Sequence, residues 1–124
     1  MLGNADAVAN VAVKDMSKAR SFYEGVLGLE TVDTHGDEVT TYRSGKSRIN
    51  VYVSEFAGTN KATLLTWAVP DATAAAATLA SKGVRFEHYD MPGITRQGDV
   101  HVGYGMKTAW FKDPDGNILQ LLSQ

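Results

Sequence analysis

The 124-residue chain carries 12 Lys and Arg against 14 Asp and Glu, a net charge of −2, with 44% hydrophobic residues. It is long enough for one domain with its own core, and it lacks the basic excess that nucleic acid or an anionic membrane would call for. The absence of cysteine removes disulfides, thiolate metal sites and a cysteine nucleophile together, and suits a reducing cytoplasm.

Residues 1–6 have neither the basic nor the apolar region of a signal peptide. No apolar run approaches the roughly 18 residues of a membrane span, so a soluble, cytoplasmic protein is expected. Residues 7–13 read as a buried strand, and Asp15 is placed to cap a helix, its carboxylate accepting from a free amide of the first turn. Met16, Ala19, Phe22, Tyr23, Val26 and Leu27 recur at helical spacing, and Gly28 can end that helix. Strands are expected near 29–34, 37–43 and 48–54, parted by Thr34-His35-Gly36-Asp37 and Ser44-Gly45-Lys46.

The pattern then starts again. Ala12-Val13-Lys14-Asp15 returns as Ala68-Val69-Pro70-Asp71, after a strand at 63–69. The next helix has Ala72, Ala75, Ala76, Leu79 and Ala80 on one face and closes at Gly83. Further strands are expected at 84–88, 106–112 and 117–122, the last two joined by the turn Asp113-Pro114-Asp115-Gly116-Asn117. Residues 90–104 form the longest irregular segment, either functional or a mobile surface loop. A repeated β-α-β-β-β order in so short a chain implies one domain over 1–124 with two pseudo-symmetric modules. They cover about 1–55 and about 62–124, with a linker at about 56–61. Equivalent strands would surround a common cavity.

Val13-Lys14-Asp15-Met16 leads to Ala19, Phe22-Tyr23, Val26 and Leu27-Gly28-Leu29. Near the end comes Ala109-Trp110-Phe111-Lys112-Asp113-Pro114-Asp115-Gly116-Asn117-Ile118-Leu119. Together they resemble the two signatures of the glyoxalase/bleomycin resistance protein/extradiol dioxygenase family, the vicinal oxygen chelate superfamily. The resemblance spans essentially the whole chain. Most of these residues pack, cap or turn, so they bear on fold before activity. The fold implied is α+β, with two βαβββ modules whose curved mixed sheets form one open cup. Metal-dependent members take four ligands from inward-facing strand positions, which fall here at Val8, Asn50, Leu64 and Gln120. Two hydrocarbons and two neutral amides are a poor transition-metal set, so no metal and no cofactor are expected.

With Val8 facing the cup, strand alternation brings Asn10 and Ala12 with it, and the repeat brings Leu64, Thr66 and Ala68. Asn50, Tyr52 and Ser54 follow on another strand, and Thr108, Trp110, Gln120 and Leu122 on the last two. Apolar walls with sparse polar groups suit a small-molecule pocket. The alternative is a closed core. Asn10, Thr66, Asn50 and Gln120 argue against that, because buried amides need partners. The candidate ligand-binding residues are thus Asn10, Asn50, Tyr52, Thr66, Trp110 and Gln120. The 88–104 loop adds His101 and His88 as candidate catalytic acids or bases, and Gly93, Gly98, Gly103 and Gly105 would suit a lid.

These readings converge on a small-molecule-binding protein of the glyoxalase/bleomycin-resistance type, taking an apolar or aromatic ligand without a catalytic metal. The alternative is a glyoxalase-like lyase or isomerase, metal-dependent or using a histidine of the 88–104 loop. A module acting only through protein contacts is the third. The resemblance also implies a homodimer, since proteins of this fold often pair their modules across one.

Overall fold

Strand alternation and one capped helix organise each half of the chain. The computed structural model describes residues 1–124, which fold as two units, Met1–Thr59 and Asn60–Gln124. The fold is α+β, with two α-helices and two mixed sheets.

In the first unit β1 (Ala9–Val13) leads into α1 (Met16–Arg20), followed by β2 (Glu30–His35), β3 (Val39–Ser44) and β4 (Ser47–Val53). The sheet order is β1-β4-β3-β2, with β1 parallel to β4 and the other pairs antiparallel. Asp15 caps α1, its Oδ1 accepting from the Lys18 amide at 3.1 Å. Alternate residues Val11, Val13, Ile49 and Val51 are buried, as are Tyr42, Met16, Ala19 and Tyr23. The helix does not run on as α to Gly28. From Ser21 to Val26 it widens into π-helical turns, with the Leu27 amide bonding the Phe22 carbonyl at 2.9 Å. This wider turn sets two consecutive residues on Tyr42. Tyr23 stacks on its ring at 6.2 Å, and Glu24 Oε2 accepts its hydroxyl at 2.7 Å. Burial and that carboxylate push the Tyr42 phenol well above its ordinary pKa. Gly28, at φ 74°, takes the left-handed conformation that ends the segment.

The second unit contains β5 (Thr63–Ala68), α2 (Ala72–Ser81), β6 (Phe86–Glu87), β7 (Thr95–Gln97), β8 (Val100–Gly103), β9 (Met106–Lys112) and β10 (Ile118–Ser123). Its strand order is β5-β10-β9-β8-β7, with β6 also on β9 and β5 parallel to β10. Asp71 caps α2 through the Ala74 amide at 3.1 Å, and Ser123 Oγ accepts the Ala72 amide at 3.0 Å, tying the last strand to the helix start. Ala109, Phe111, Leu119 and Leu121 are buried with Ala72, Ala76 and Phe86, and α2 lies against β9 and β10.

Two expectations need correction here. The strand read at 84–88 is only Phe86–Glu87, and the segment read as irregular over 90–104 holds the hairpin β7–β8. Both β6 and β8 pair with β9, through Phe86 with Phe111 and then His101 with Thr108. They occupy in series the place that continuous β2 holds beside β3 in the first unit. Residues 88–99 are an excursion between them. Its polar residues and the turn glycine Gly98 concealed the alternation.

The β9–β10 hairpin closes through Asp113. Its Oδ1 accepts from the amides of Asp115 and Asn117, both at 2.9 Å, and its Oδ2 from Asn117 Nδ2 at 2.8 Å. Asp113 and Asn117 are both buried. Asp113→Ala leaves these donors unpaired and is expected to lower unfolding free energy by about 2–3 kcal/mol in urea denaturation. A loss well below 1 kcal/mol would count against this turn as an anchor.

Candidate functional site: a pocket in the second module

The excursion between β6 and β8 folds over one face of its own sheet and leaves a cavity of about 320 Å³. Met91, Pro92, Ile94 and Tyr104 line it together with Met106, Thr108 and Trp110 of β9, Gln120 and Leu122 of β10, and His101 and Gly103 of β8. That volume lies in the range of small-molecule sites, about 300–1,000 Å³. The lining strand residues alternate with the buried Ala109, Phe111, Leu119 and Leu121 that face the helix. A smaller cavity of about 250 Å³, lined by Lys61, Ala62, Thr63, Tyr89, Trp110 and Ile118, shares the Trp110 wall.

Close backbone contact holds the excursion in place. A Cβ on Gly103 would lie 2.6 Å from the Gly93 carbonyl oxygen and 2.6 Å from Ile94 Cδ1. The Tyr104 hydroxyl donates to the Pro92 carbonyl at 3.3 Å, with Tyr104 itself at φ 52°, a conformation uncommon outside glycine. Aromatic edges fix the inner wall. His101 and Tyr89 each meet Trp110 edge-on, at 5.0 and 5.2 Å between centroids, and Trp110 Nε1 donates to Thr63 Oγ1 at 3.2 Å.

The polar groups form a directed chain. Thr108 Oγ1 donates to the Leu121 carbonyl at 2.8 Å, and a carbonyl can only accept. Thr108 must therefore accept from Gln120, whose Nε2 lies 2.7 Å away, and Gln120 Oε1 then accepts the Thr66 hydroxyl at 2.8 Å. The first unit has a parallel arrangement. Asn10 Nδ2 donates to the Val8 carbonyl at 3.3 Å, Asn50 Nδ2 to Asn10 Oδ1 at 3.2 Å, and Thr41 to Asn50 Oδ1 at 2.7 Å. The four polar residues taken as signs of an open site thus find partners on neighbouring strands of their own sheets.

The tautomer of His101 is set in the same way. The Tyr89 amide can only donate, and it reaches His101 Nε2 at 3.0 Å, so the ring proton sits on Nδ1. His101 is 1% exposed, and its Nδ1 has no hydrogen-bond partner. Burial pushes its pKa below the ordinary 6.5, with the Thr108 backbone opposing. Expected in the 88–104 loop, His101 is instead a strand residue in the pocket wall with its one basic nitrogen already engaged. His88 lies near the surface, its Nε2 3.0 Å from Asp99 Oδ1, and its ring centroid is 6.1 Å from that of His101.

The structure gathers Trp110, Gln120 and His101 around one cavity and joins Thr66 to it through Gln120. Asn10, Asn50 and Tyr52 belong to the first unit. The sequence reading missed Met91, Pro92, Ile94 and Met106 as lining residues. Two methionines and an isoleucine within a polar, glycine-rich stretch were the available signal. Nowhere do three His, Cys, Asp or Glu come together to hold a metal ion, and the Asn50 and Gln120 oxygens are both taken by threonine hydroxyls. These residues do not fit the metal that the fold family's ligand positions imply. No helix is long and apolar enough to cross a membrane.

Comparison with known proteins agrees with this architecture. The sequence model of the Glyoxalase/Bleomycin resistance protein/Dioxygenase superfamily matches residues 6–121, and the chain belongs to that superfamily. No curated protein matches it. Among solved structures it is similar to lactoylglutathione lyase from Agrobacterium tumefaciens, at 16% identity and a TM-score of 0.72, covering 97% of this chain and 93% of that one. A glyoxalase/bleomycin resistance protein from a Streptomyces species shows 21% identity and a TM-score of 0.63, covering 94% and 98%. Fosfomycin resistance protein from Mesorhizobium loti shows 13% identity and a TM-score of 0.69, covering 98% and 92%. At these identities the likeness is one of fold.

The depressed pKa of His101 makes a pH prediction. A histidine whose folded pKa lies below its unfolded value of 6.5 binds fewer protons in the folded state. Its contribution is complete above the unfolded pKa and is lost as pH falls toward the folded one. Urea denaturation from about pH 7 to about pH 5 should show a fall in stability that is smaller in His101→Gln, whose amide oxygen can still accept from Tyr89. Equal falls in the two proteins would show that His101 is not a source of that slope.

Proposed function

We propose that the chain is a small-molecule-binding protein of the glyoxalase/bleomycin-resistance type, taking an apolar or aromatic ligand in the second-module pocket without a catalytic metal. The observation that carries this reading is the cavity of about 320 Å³, whose apolar walls of Trp110, Met91, Met106 and Leu122 surround the polar Gln120 and His101. Large apolar contact supplies affinity, and sparse polar groups orient the ligand. The superfamily membership and the resistance-protein neighbours are in keeping with it.

A second reading, a glyoxalase-like lyase or isomerase, is favoured by the pairing of His88 with Asp99 at 3.0 Å. A carboxylate beside an imidazole orients it as a general base. The lyase among the structural neighbours points the same way. His101 is the poorer base of the two, because Nε2 already accepts from Tyr89.

Two measurements test these readings. Trp110→Ala should weaken binding of a ligand found by screening small aromatic and dicarbonyl compounds by about 2 kcal/mol or more, while His88→Gln should change it little. Loss of turnover in His88→Gln with affinity intact would favour the enzyme instead. Circular dichroism on each variant separates loss of binding from loss of fold. Elemental analysis of protein purified without chelators should find far less than one zinc, nickel, manganese or iron per chain. Roughly one equivalent, lost on Gln120→Ala, would overturn the metal-free reading.

A further inference from the structure

We infer that this pocket selects a neutral aromatic molecule carrying a hydrogen-bond acceptor, such as a ketone, amide or quinone carbonyl, which receives the spare N–H of Gln120. This inference rests on the binder reading and narrows its ligand to one chemical class. It follows from counting which polar hydrogens and lone pairs the wall has left to offer.

Three of the wall's polar groups are already used. Thr108 spends its single proton on the Leu121 carbonyl and accepts from Gln120. Trp110 Nε1 donates to Thr63, and the Tyr104 hydroxyl donates to Pro92. Gln120 Oε1 accepts from Thr66, and one of its two amide hydrogens goes to Thr108. The other amide hydrogen has no partner, since an amide nitrogen carries two donors. His101, on the strand beside Thr108, adds no second donor, because its Nδ1 is buried out of reach of even a water-sized molecule.

The one remaining group therefore donates. A buried donor without an acceptor is disfavoured by about 1–3 kcal/mol, so a ligand oxygen has more to gain here than a ligand N–H or O–H. Charge narrows the class further. No Lys, Arg, Asp or Glu lines this cavity. A carboxylate or phosphonate would lose its hydration without meeting a countercharge, and an ammonium would meet donors of its own kind. Trp110 supplies the broad apolar face for the aromatic part, and Met91 and Met106 adapt to its outline.

The test uses four probes of one shape: 2-acetylnaphthalene, 2-ethylnaphthalene, 2-naphthoate and 2-naphthylmethylammonium, each titrated calorimetrically into the purified full chain. The expected order places 2-acetylnaphthalene about tenfold or more tighter than 2-ethylnaphthalene, with both ions weaker than either. Nitrogen NMR of the side-chain amides adds an independent reading. The Gln120 Nε2 signal should shift with 2-acetylnaphthalene and stay in place with 2-ethylnaphthalene. Gln120→Met, shown to be folded by circular dichroism, should reduce the preference for the ketone while keeping affinity for the hydrocarbon. Equal binding of ketone and hydrocarbon overturns this inference but leaves the binder reading standing. So does tightest binding of either ion. A ketone preference that survives Gln120→Met overturns the assignment of the donor. Failure of all four probes to bind overturns the binder reading, and the inference with it.

Discussion

A carbonyl oxygen can accept a hydrogen bond and never donate one, and this constraint gives direction to the polar side of both sheets. In each unit one sheet face is apolar, with Val11, Val51, Ile49 and Val13 in the first and Phe111, Leu119, Leu121 and Ala109 in the second. The opposite residues of the same strands cannot all be apolar without leaving a two-sided hydrophobic surface. They are partly polar instead, and they satisfy one another sideways. Each chain of bonds starts at a threonine hydroxyl, passes through an amide and ends on a main-chain carbonyl, Val8 in one unit and Leu121 in the other. The orientation of every amide follows from that end point.

The two units differ where it matters for binding. The strand beside β3 in the first unit is unbroken, with a single register shift between Thr31 and Asp33. The equivalent place beside β9 is broken into β6 and β8 by the 88–99 excursion. A continuous strand would leave Trp110, Thr108 and Gln120 as one row of a plain sheet face. The break supplies Met91, Pro92 and Ile94 as a second wall above that row, and with it a volume. Gly103 makes the arrangement possible, because any side chain there would collide with the Gly93 carbonyl and Ile94. The Tyr104 backbone in its left-handed conformation is part of the same close fit.

What could be read from the sequence was what is decided locally. Asp15 and Asp71 cap their helices through amides three residues on, and Asp113 closes its turn within five residues, so each signal lies in a short window. The alternation of Ala109 and Phe111 against Thr108 and Trp110 is equally local, and it assigned the faces of β9. The partners of Asn50 and Gln120 were not legible, since they come from other strands. Their presence looked like evidence for an open site, whereas cross-strand bonds engage the side-chain oxygen and one amide hydrogen of each. His101 was misplaced for a related reason. Its burial depends on Tyr89 and Trp110 closing around it, and no spacing rule reports that. The π-helical widening at Ser21–Val26 likewise answers to Tyr42, across the unit's core.

The wall keeps His101 out of the binding contact. Its ring is 1% exposed, its Nε2 accepts from the Tyr89 amide, and its Nδ1 is buried out of reach of a water-sized molecule. Recognition by hydrogen bonding therefore falls to the spare amide hydrogen of Gln120. A molecule that supplies the acceptor gains affinity from that bond, and whatever stability it confers on the fold shares the same source. A hydrocarbon of the same shape leaves that donor bare, which is a stronger selection than apolar contact alone provides. The metal-ligand positions of the superfamily bear on the same point. Val8 and Leu64 bring no donor atoms, and Gln120 serves as an amide whose oxygen is held by Thr66. What that residue has left to offer is a hydrogen, and a hydrogen recognises an oxygen atom where a metal ligand would have recognised a cation.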